Sequence, residues 1–231
     1  RFAWSVINER RFRHGPLITA AAAVVLVLVY GYLRLPVVDS EMAGAPKLRF
    51  GIVQANLGIR EKNDDPQKAV RLNRRLTERL NELGADIAVW PESTITSPIL
   101  ASNAKKVPAG ITEGLGIPVI FGAIQMWLYN VAVLSDSNGD ILGIYRKQKL
   151  LMFGEYIPFG DIFPALYEWM PYVVRMVPGD SSEPLKFGDR SFGISICYED
   201  ILPRLINRMA EYSPDVFVNL ANDNWYGRTH E

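Results

Sequence analysis

The sequence is poor in the residues that build disulfides and metal centres. It contains one cysteine, Cys197, and two histidines, His14 and His230, both close to the ends of its 231 residues. One cysteine cannot form an internal disulfide, and so few thiol and imidazole groups exclude a cysteine-rich zinc site. We therefore expect no disulfide scaffold, no metal centre and no cofactor.

The sequence also lacks an excess of charge of either sign. Lys and Arg together number 25, as do Asp and Glu, so the formal net charge is 0. Nucleic-acid binding normally requires a basic face, and this balance gives no reason to expect such a partner. The length suits one sizeable hydrophobic core and is too short for two large domains.

One apolar run near the N-terminus departs from this ordinary composition. No residue from Leu17 to Leu33 is charged, and the run reaches the lower edge of the about 17–25 residues that cross a bilayer. A buried core helix is the alternative, but four arginines before residue 14 and the aromatic Tyr30 and Tyr32 favour a membrane-spanning helix. The positive-inside rule then places the N-terminus in the cytoplasm and the chain beyond Pro36 outside.

These features divide the chain into four predicted segments. They are a cytoplasmic basic segment (1–15), a transmembrane helix (16–35), a linker (36–46) and a folded domain (47–231). The chain begins without Met, so we expect it to be a piece of a longer polypeptide.

The folded domain shows the sequence pattern of an α/β protein. Apolar recurrence every three to four residues predicts a helix over 65–83, and a second helix is expected over 201–210. Short apolar runs bounded by Gly, Pro or turn residues predict strands within 48–56, 85–92, 117–124, 128–135, 141–147, 190–197 and 214–222. Strands that alternate with helices, together with one hairpin-like pair, predict a mixed sheet.

Three of these strands are followed by a reactive side chain. Glu92 follows one strand, Lys147 or Lys149 follows another, and Cys197 follows a third. In α/β proteins, sites assemble just past the carboxyl ends of strands. A thiol can attack an acyl carbon while a carboxylate takes its proton and an ammonium stabilises the oxyanion. A nearby cation is also expected to favour the thiolate.

Each of these residues also has a structural explanation when it is considered alone. A single cysteine in an apolar strand is often a small buried hydrophobe. A glutamate after Trp-Pro can cap a helix, and a pair of lysines after a strand is usually solvated. The prediction of an active site therefore rests on the three residues together.

In this order, the residues resemble the nitrilase (carbon–nitrogen hydrolase) superfamily, whose members use a Glu-Lys-Cys triad. The closer resemblance is to its membrane-bound branch, the apolipoprotein N-acyltransferases, and it runs from about Arg49 to the chain end. The motifs that carry it are "WPES" (90–93), "YRKQKLLMFGEYIPF" (145–159), "ICYED" (196–200) and "NDNWYG" (222–227).

The resemblance implies a role for each matching residue. Glu92 is expected to be the general base and Cys197 the nucleophile, with Tyr198 and Glu199 flanking it. Glu155 matches a second essential glutamate, expected near the thiol and the lysine. Counting back from Glu155 selects Lys147 as the catalytic lysine, which leaves Lys149 at a place usually taken by His and as the alternative choice.

The resemblance also implies a fold and an activity. The expected fold is a four-layer α-β-β-α sandwich, C-terminally incomplete, preceded by a transmembrane helix. The expected enzyme is an N-acyltransferase that moves an acyl chain from a phospholipid, expected to be phosphatidylethanolamine, through a cysteine thioester to the N-terminal diacylglyceryl-cysteine of a lipoprotein. It would lie in the bacterial inner membrane with its catalytic domain on the periplasmic face. A membrane-tethered amidase and a non-catalytic binding module of the same fold are the alternatives.

The sequence departs from the family pattern at two places. Met152 stands where the family commonly has Pro, and the family's lid tryptophan, expected around residues 60–64, is missing. The apolar stretch "DIFPALYEWMPYVVRM" (161–176) can either dip into lipid or form an ordinary helix and loop in the core or at the surface.

Overall fold

The computed structural model describes residues 14–101 and 103–222. The predicted basic segment therefore lies outside the described residues except at its last two positions, and so does the "NDNWYG" motif beyond Asn222. The chain divides into two compact units between Lys47 and Leu48.

The first unit contains one long helix, α1 (His14–Gly44). Of the described residues, only this helix is long and apolar enough to cross a membrane. It continues through residues 36–44, which were predicted to be linker. Pro36 removes one backbone donor without ending the helix, and Arg34 and Glu41, two turns apart, form an ion pair of 3.3 Å across it.

The second unit is built on two mixed β-sheets. The first sheet has the order β1-β2-β4-β5-β6, with β3 paired to the second half of β4, and the second has the order β7-β8-β9. The first three pairings within the larger sheet are parallel and the β4–β5 and β5–β6 pairings are antiparallel. The strands are β1 (Phe50–Ile52), β2 (Ile87–Val89), β3 (Ile95–Leu100), β4 (Val119–Gln125), β5 (Tyr129–Ser135), β6 (Ile141–Arg146), β7 (Leu185–Phe187), β8 (Arg190–Ile196) and β9 (Val216–Leu220).

Alternating side chains of the larger sheet fill two separate cores. In β4, Phe121 belongs to the core that includes Val70 of a helix, and Ile120 belongs to the core shared with the smaller sheet. The second core also contains Leu205 and Met209 of a second helix. Because successive strand residues point to opposite faces, this pattern gives four layers, α-β-β-α, as expected.

The helices of this unit are shorter and more numerous than the sequence pattern predicts. The helices are α2 (Ile59–Asp64), α3 (Pro66–Glu82), α4 (Ala165–Trp169) and α5 (Pro203–Ala210), with a 3₁₀ turn over Cys197–Ile201. The helix predicted over 65–83 is α3, which Asp65 caps by accepting from the Lys68 N–H. The helix predicted over 201–210 is α5, which the 3₁₀ turn precedes.

Candidate active site

Glu92 lies in the turn that leads from β2 to β3. Its neighbour Ser93 has a φ of +49°, a left-handed conformation that L-residues adopt only when the surroundings enforce it. Gly122 of β4 provides the room, because a β-carbon there would lie 2.6 Å from the Cα of Glu92. No helix begins at Glu92, so its explanation as a helix cap is wrong.

Lys147 follows β6 and is buried between two carboxylates. Its Nζ lies 3.4 Å from Glu92 Oε1 and 3.0 Å from Glu155 Oε2. Only 2% of the lysine is exposed. Its backbone is fixed as well, since its N–H donates to the Asn130 carbonyl at 2.9 Å.

Glu155 is positioned by the turn that precedes it. Its Oε2 accepts the N–H of Leu151 at 2.8 Å, and its own N–H donates to the Leu151 carbonyl at 2.8 Å. Met152, in the place where the family commonly has Pro, is exposed within this turn. The carboxylate thus reaches Lys147, as the resemblance implies, although Pro is absent.

Asn130 completes the cluster and was not identified from the sequence. Its Nδ2 donates to Glu92 Oε1 at 2.8 Å and to Glu155 Oε1 at 2.7 Å. It lies in β5, where an asparagine amid "YNVAVLS" gives no distinctive signal. Polar residues are rare at buried strand positions. An asparagine within an otherwise apolar run was therefore the one signal that could have pointed to Asn130.

The electrostatics of this cluster are set by burial and by its two acids. Burial raises the pKa of Glu92, and Lys147 and Asn130 oppose the shift without cancelling it. Burial alone would lower the pKa of Lys147, but Glu92 and Glu155 outweigh it, so the pKa is raised. The lysine therefore remains a cation, and Glu92 is a stronger base than an exposed carboxylate.

Cys197 directly follows β8 and begins the 3₁₀ turn with a φ of +56°. Such a conformation costs about 1–3 kcal/mol and persists only where neighbouring contacts enforce it. Asn219 supplies one of these contacts by donating to the Cys197 carbonyl at 3.1 Å. Tyr198 supplies another, because its hydroxyl donates to the Leu150 carbonyl at 2.9 Å.

The thiol of Cys197 is not a preformed thiolate. Burial and the charge of Glu92 raise its pKa, although Lys147 and the N–H of Tyr198 lower it. Lys147 thus favours the thiolate, as expected, but burial of the thiol and the charge of Glu92 outweigh it. The thiol therefore needs a base to remove its proton.

Glu199 is fully buried and holds the 3₁₀ turn that begins at Cys197 against the chain that follows β6. Its Oε1 accepts from the N–H groups of Gln148 and Lys149 at 2.7 and 2.8 Å. Its Oε2 accepts from the Ile196 N–H and the Tyr145 hydroxyl, both at 2.9 Å. Glu199 thus positions other residues, and its side chain is not among those that line the cavity described below.

The two candidate lysines face different surroundings. Lys149 is exposed and lines a separate cavity beside Tyr156 and Arg175. Lys147 lies with the two carboxylates and the cysteine. Residues two apart in a strand lie on the same face. Both lysines come after the end of β6, so this rule does not hold for them, and their side chains line different cavities.

Glu92, Lys147, Glu155 and Cys197 line a single cavity of about 480 Å³. Its other walls are largely apolar and include Leu151, Ile124, Trp127, Tyr172, Val174 and Met176. Polar residues also line it. They include Lys62, in the segment where the lid tryptophan was expected, and Asn222, the first residue of the "NDNWYG" motif.

The chain is similar to known proteins in both sequence and fold. The sequence profile of the carbon–nitrogen hydrolase family matches residues 49–230. The apolipoprotein N-acyltransferase of Bdellovibrio bacteriovorus is 30% identical over 78% of this chain and 38% of its own length. That of Geobacter metallireducens is 28% identical over 93% of this chain and 43% of its own length. The chain thus spans about two-fifths of the length of these relatives.

Solved structures share the fold at lower identity. An amidase of the nitrilase superfamily from Nesterenkonia matches with a TM-score of 0.55 and 20% identity, covering 77% of this chain and 67% of the amidase. A carbon–nitrogen hydrolase from Helicobacter pylori matches with a TM-score of 0.51 and 19% identity, covering 75% of this chain and 59% of its own.

Proposed function

Because the chain belongs to the carbon–nitrogen hydrolase family, we propose that it transfers a phospholipid acyl chain to the N-terminal amine of a diacylglyceryl-modified lipoprotein. Cys197 would carry the acyl group as a thioester. The observation that supports this most strongly is a largely apolar cavity lined by a thiol, two lysines and two carboxylates.

In the first half-reaction, Glu92 takes the proton of the Cys197 thiol as the sulfur attacks the sn-1 ester carbonyl. Lys147 stabilises the negative charge that develops on the carbonyl oxygen. The ester C–O bond then breaks, and Glu92 returns the proton to the departing lysophospholipid. The raised pKa values of the thiol and of Glu92 fit this concerted use of a base.

In the second half-reaction, the α-amino group of the acceptor attacks the thioester carbonyl. Glu92 accepts a proton from the nitrogen and gives it to Cys197 as the C–S bond breaks. Lys147 again stabilises the oxyanion. Two steps that share one base and one cation replace a direct encounter between two lipids.

The apolar surface beside the cavity supports lipid substrates. Large apolar side chains are exposed along residues 151–177, and some of the same segment lines the cavity. The most exposed of them are Phe159, Ile162, Phe163, Trp169 and Tyr172. An exposed patch of this kind is typical of a protein or membrane contact, and we propose that it meets the bilayer that holds both substrates, with phosphatidylethanolamine as the donor.

The acyl acceptor distinguishes the proposed N-acyltransferase from a membrane-tethered amidase and from a non-catalytic binding module. The protein in detergent should convert labelled phosphatidylethanolamine and a diacylated lipopeptide with a free N-terminal amine into a triacylated lipopeptide. An N-acetylated lipopeptide is the matched control and should gain nothing. Release of free fatty acid with both peptides would indicate a hydrolase, and an absence of both products would indicate a binding module.

We further propose that the domain beyond residue 46 lies on the periplasmic face of the inner membrane. Asn138 is exposed in the β5–β6 turn and suits a reporter cysteine. In a Cys197→Ala background, a membrane-impermeant thiol reagent should label Asn138→Cys in intact spheroplasts. Labelling only after lysis would place the domain in the cytoplasm and contradict the lipoprotein reaction.

A further inference from the structure

The cavity contains a second buried cation that the reaction above does not use. Lys62 of α2 is only 5% exposed and lines the same cavity as Cys197. Its Nζ donates to the Ser93 carbonyl at 3.2 Å. A buried ammonium is costly unless it is paired with a charge or fully hydrogen-bonded.

The surroundings of Lys62 differ from those of Lys147. Lys147 contacts two carboxylates within 4.0 Å, whereas no carboxylate among residues 14–101 and 103–222 lies that close to Lys62. A lysine has three N–H donors, and one neutral carbonyl uses only one of them. Burial also lowers the pKa of Lys62, and the charge of Glu92 only partly opposes this.

We propose that Lys62 binds the phosphodiester of the donor lipid and so selects phospholipids over neutral acyl esters. This inference rests on the proposed function and names the group that the cavity recognises. A phosphate oxygen would supply both the negative charge and the acceptors that the described residues do not provide to this buried ammonium. Lysine is a common phosphate ligand because its compact charge needs no fixed orientation.

The alternative is that Lys62 acts only through the Ser93 carbonyl, by holding the turn that carries Glu92. These two roles predict different substrate dependence. A residue that binds the phosphodiester affects only donors that contain one. A residue that positions the general base affects every donor, because each acyl transfer needs Glu92.

The test compares two acyl donors with the protein in detergent micelles. One donor is dipalmitoyl phosphatidylethanolamine, and the other is p-nitrophenyl palmitate, which has no phosphate. Each forms the same palmitoyl thioester and releases lysophospholipid or p-nitrophenol. The readout is the rate constant for formation of the hydroxylamine-labile adduct on the Cys197 peptide.

The main variant is Lys62→Gln, which removes the charge but can still donate to the Ser93 carbonyl. We expect a loss of about 10- to 100-fold with the phospholipid, the usual effect of losing a hydrogen bond to a charged group. The rate with p-nitrophenyl palmitate should change less than about threefold. Lys62→Met should behave in the same way, and its rate with the neutral ester shows that the variant is folded.

The matched control is Lys68→Met, which removes the same charge from an exposed lysine of α3. It should leave both rates unchanged. Equal losses with both donors in Lys62→Gln and Lys62→Met, or no loss with either, would overturn the inference. Wild-type protein that accepts the neutral ester but not the phospholipid would refute the proposed function itself, and the inference with it.

Discussion

Two buried clusters, one around Glu92 and Glu155 and the other around Glu199, contact consecutive residues of the chain that follows β6. Lys147 enters the first cluster and pairs with Glu92 and Glu155. The backbone of Gln148 enters the second and donates to Glu199. Both clusters are buried, but the first opens into a cavity and contains a cation, whereas Glu199 accepts all four of its hydrogen bonds from neutral groups.

The difference shows that burial alone does not identify a catalytic acid. Burial raises the pKa of both Glu92 and Glu199. Only Glu92 also lines the cavity that contains the Cys197 thiol, and its charge acts on that thiol. We therefore expect substitutions in the first cluster to affect chemistry and substitutions in the second to affect stability.

Glu92→Gln should have the largest effect within this comparison. The amide retains the shape but cannot accept a proton, so thioester formation should fall by about 10²–10⁴-fold per folded molecule. Wild-type activity should also decline as the pH falls through a pKa above the ordinary 4.5 of a glutamate, because protonated Glu92 cannot act as a base. Rapid-quench kinetics across pH would check both expectations, and an active variant would move Glu92 out of the mechanism.

Lys147→Met should have the next largest effect. It removes the cation from a buried site, and the loss of one oxyanion donor typically costs about 10²–10³-fold in rate. The variant also leaves Glu92 and Glu155 without their shared counter-ion. Single-turnover acylation should be compared with the unfolding temperature, since a loss of folding without a loss of rate per folded molecule would indicate a purely structural lysine.

Glu199→Gln should lower stability more than chemistry. Glutamine has one acceptor oxygen in place of two, so at least one donor loses its partner at a cost of about 1–3 kcal/mol. For a domain of this size, the melting temperature should fall by roughly 2–4 °C for each kcal/mol. Calorimetry of Glu199→Gln and of the exposed control Glu183→Gln would measure this fall. An unchanged melting temperature in Glu199→Gln would contradict the structural role of Glu199.

Lys149→Met should have the smallest effect. The side chain is exposed and lines a cavity other than the one that contains Cys197. Its structural contact with Glu199 uses the backbone N–H, which the substitution retains. Acylation rates should therefore stay within about threefold of wild type, whereas a loss as large as that of Lys147→Met would indicate a shared cationic pocket.

The sequence predicted most of the strands because their apolar runs have clear boundaries. β4, β5, β6 and β8 begin and end within two residues of the predicted runs. The strand β3 was missed, since "ITSPIL" contains Pro98, a residue that usually argues against a strand. The short α2 and β7 were missed because segments of so few residues are too short to show a periodicity.

The candidate site could be predicted only where a residue belongs to a motif. Glu92, Lys147, Glu155 and Cys197 were all named from their motifs, and the structure places them around one cavity. Asn130 and Lys62 could not be found in this way, because their contacts are with residues far away in sequence. The raised pKa of Cys197 was also inaccessible, since it depends on the burial of the thiol and on the charge of Glu92, which is distant in sequence.

The formation of a thioester on Cys197 tests the central claim most directly. Protein incubated with phospholipid should gain one acyl mass on the Cys197 peptide, and neutral hydroxylamine should remove it. Cys197→Ser should greatly slow adduct formation, because an alkoxide is much harder to generate than a thiolate near neutral pH. An unchanged adduct in Cys197→Ser, or one located on another peptide, would contradict the account.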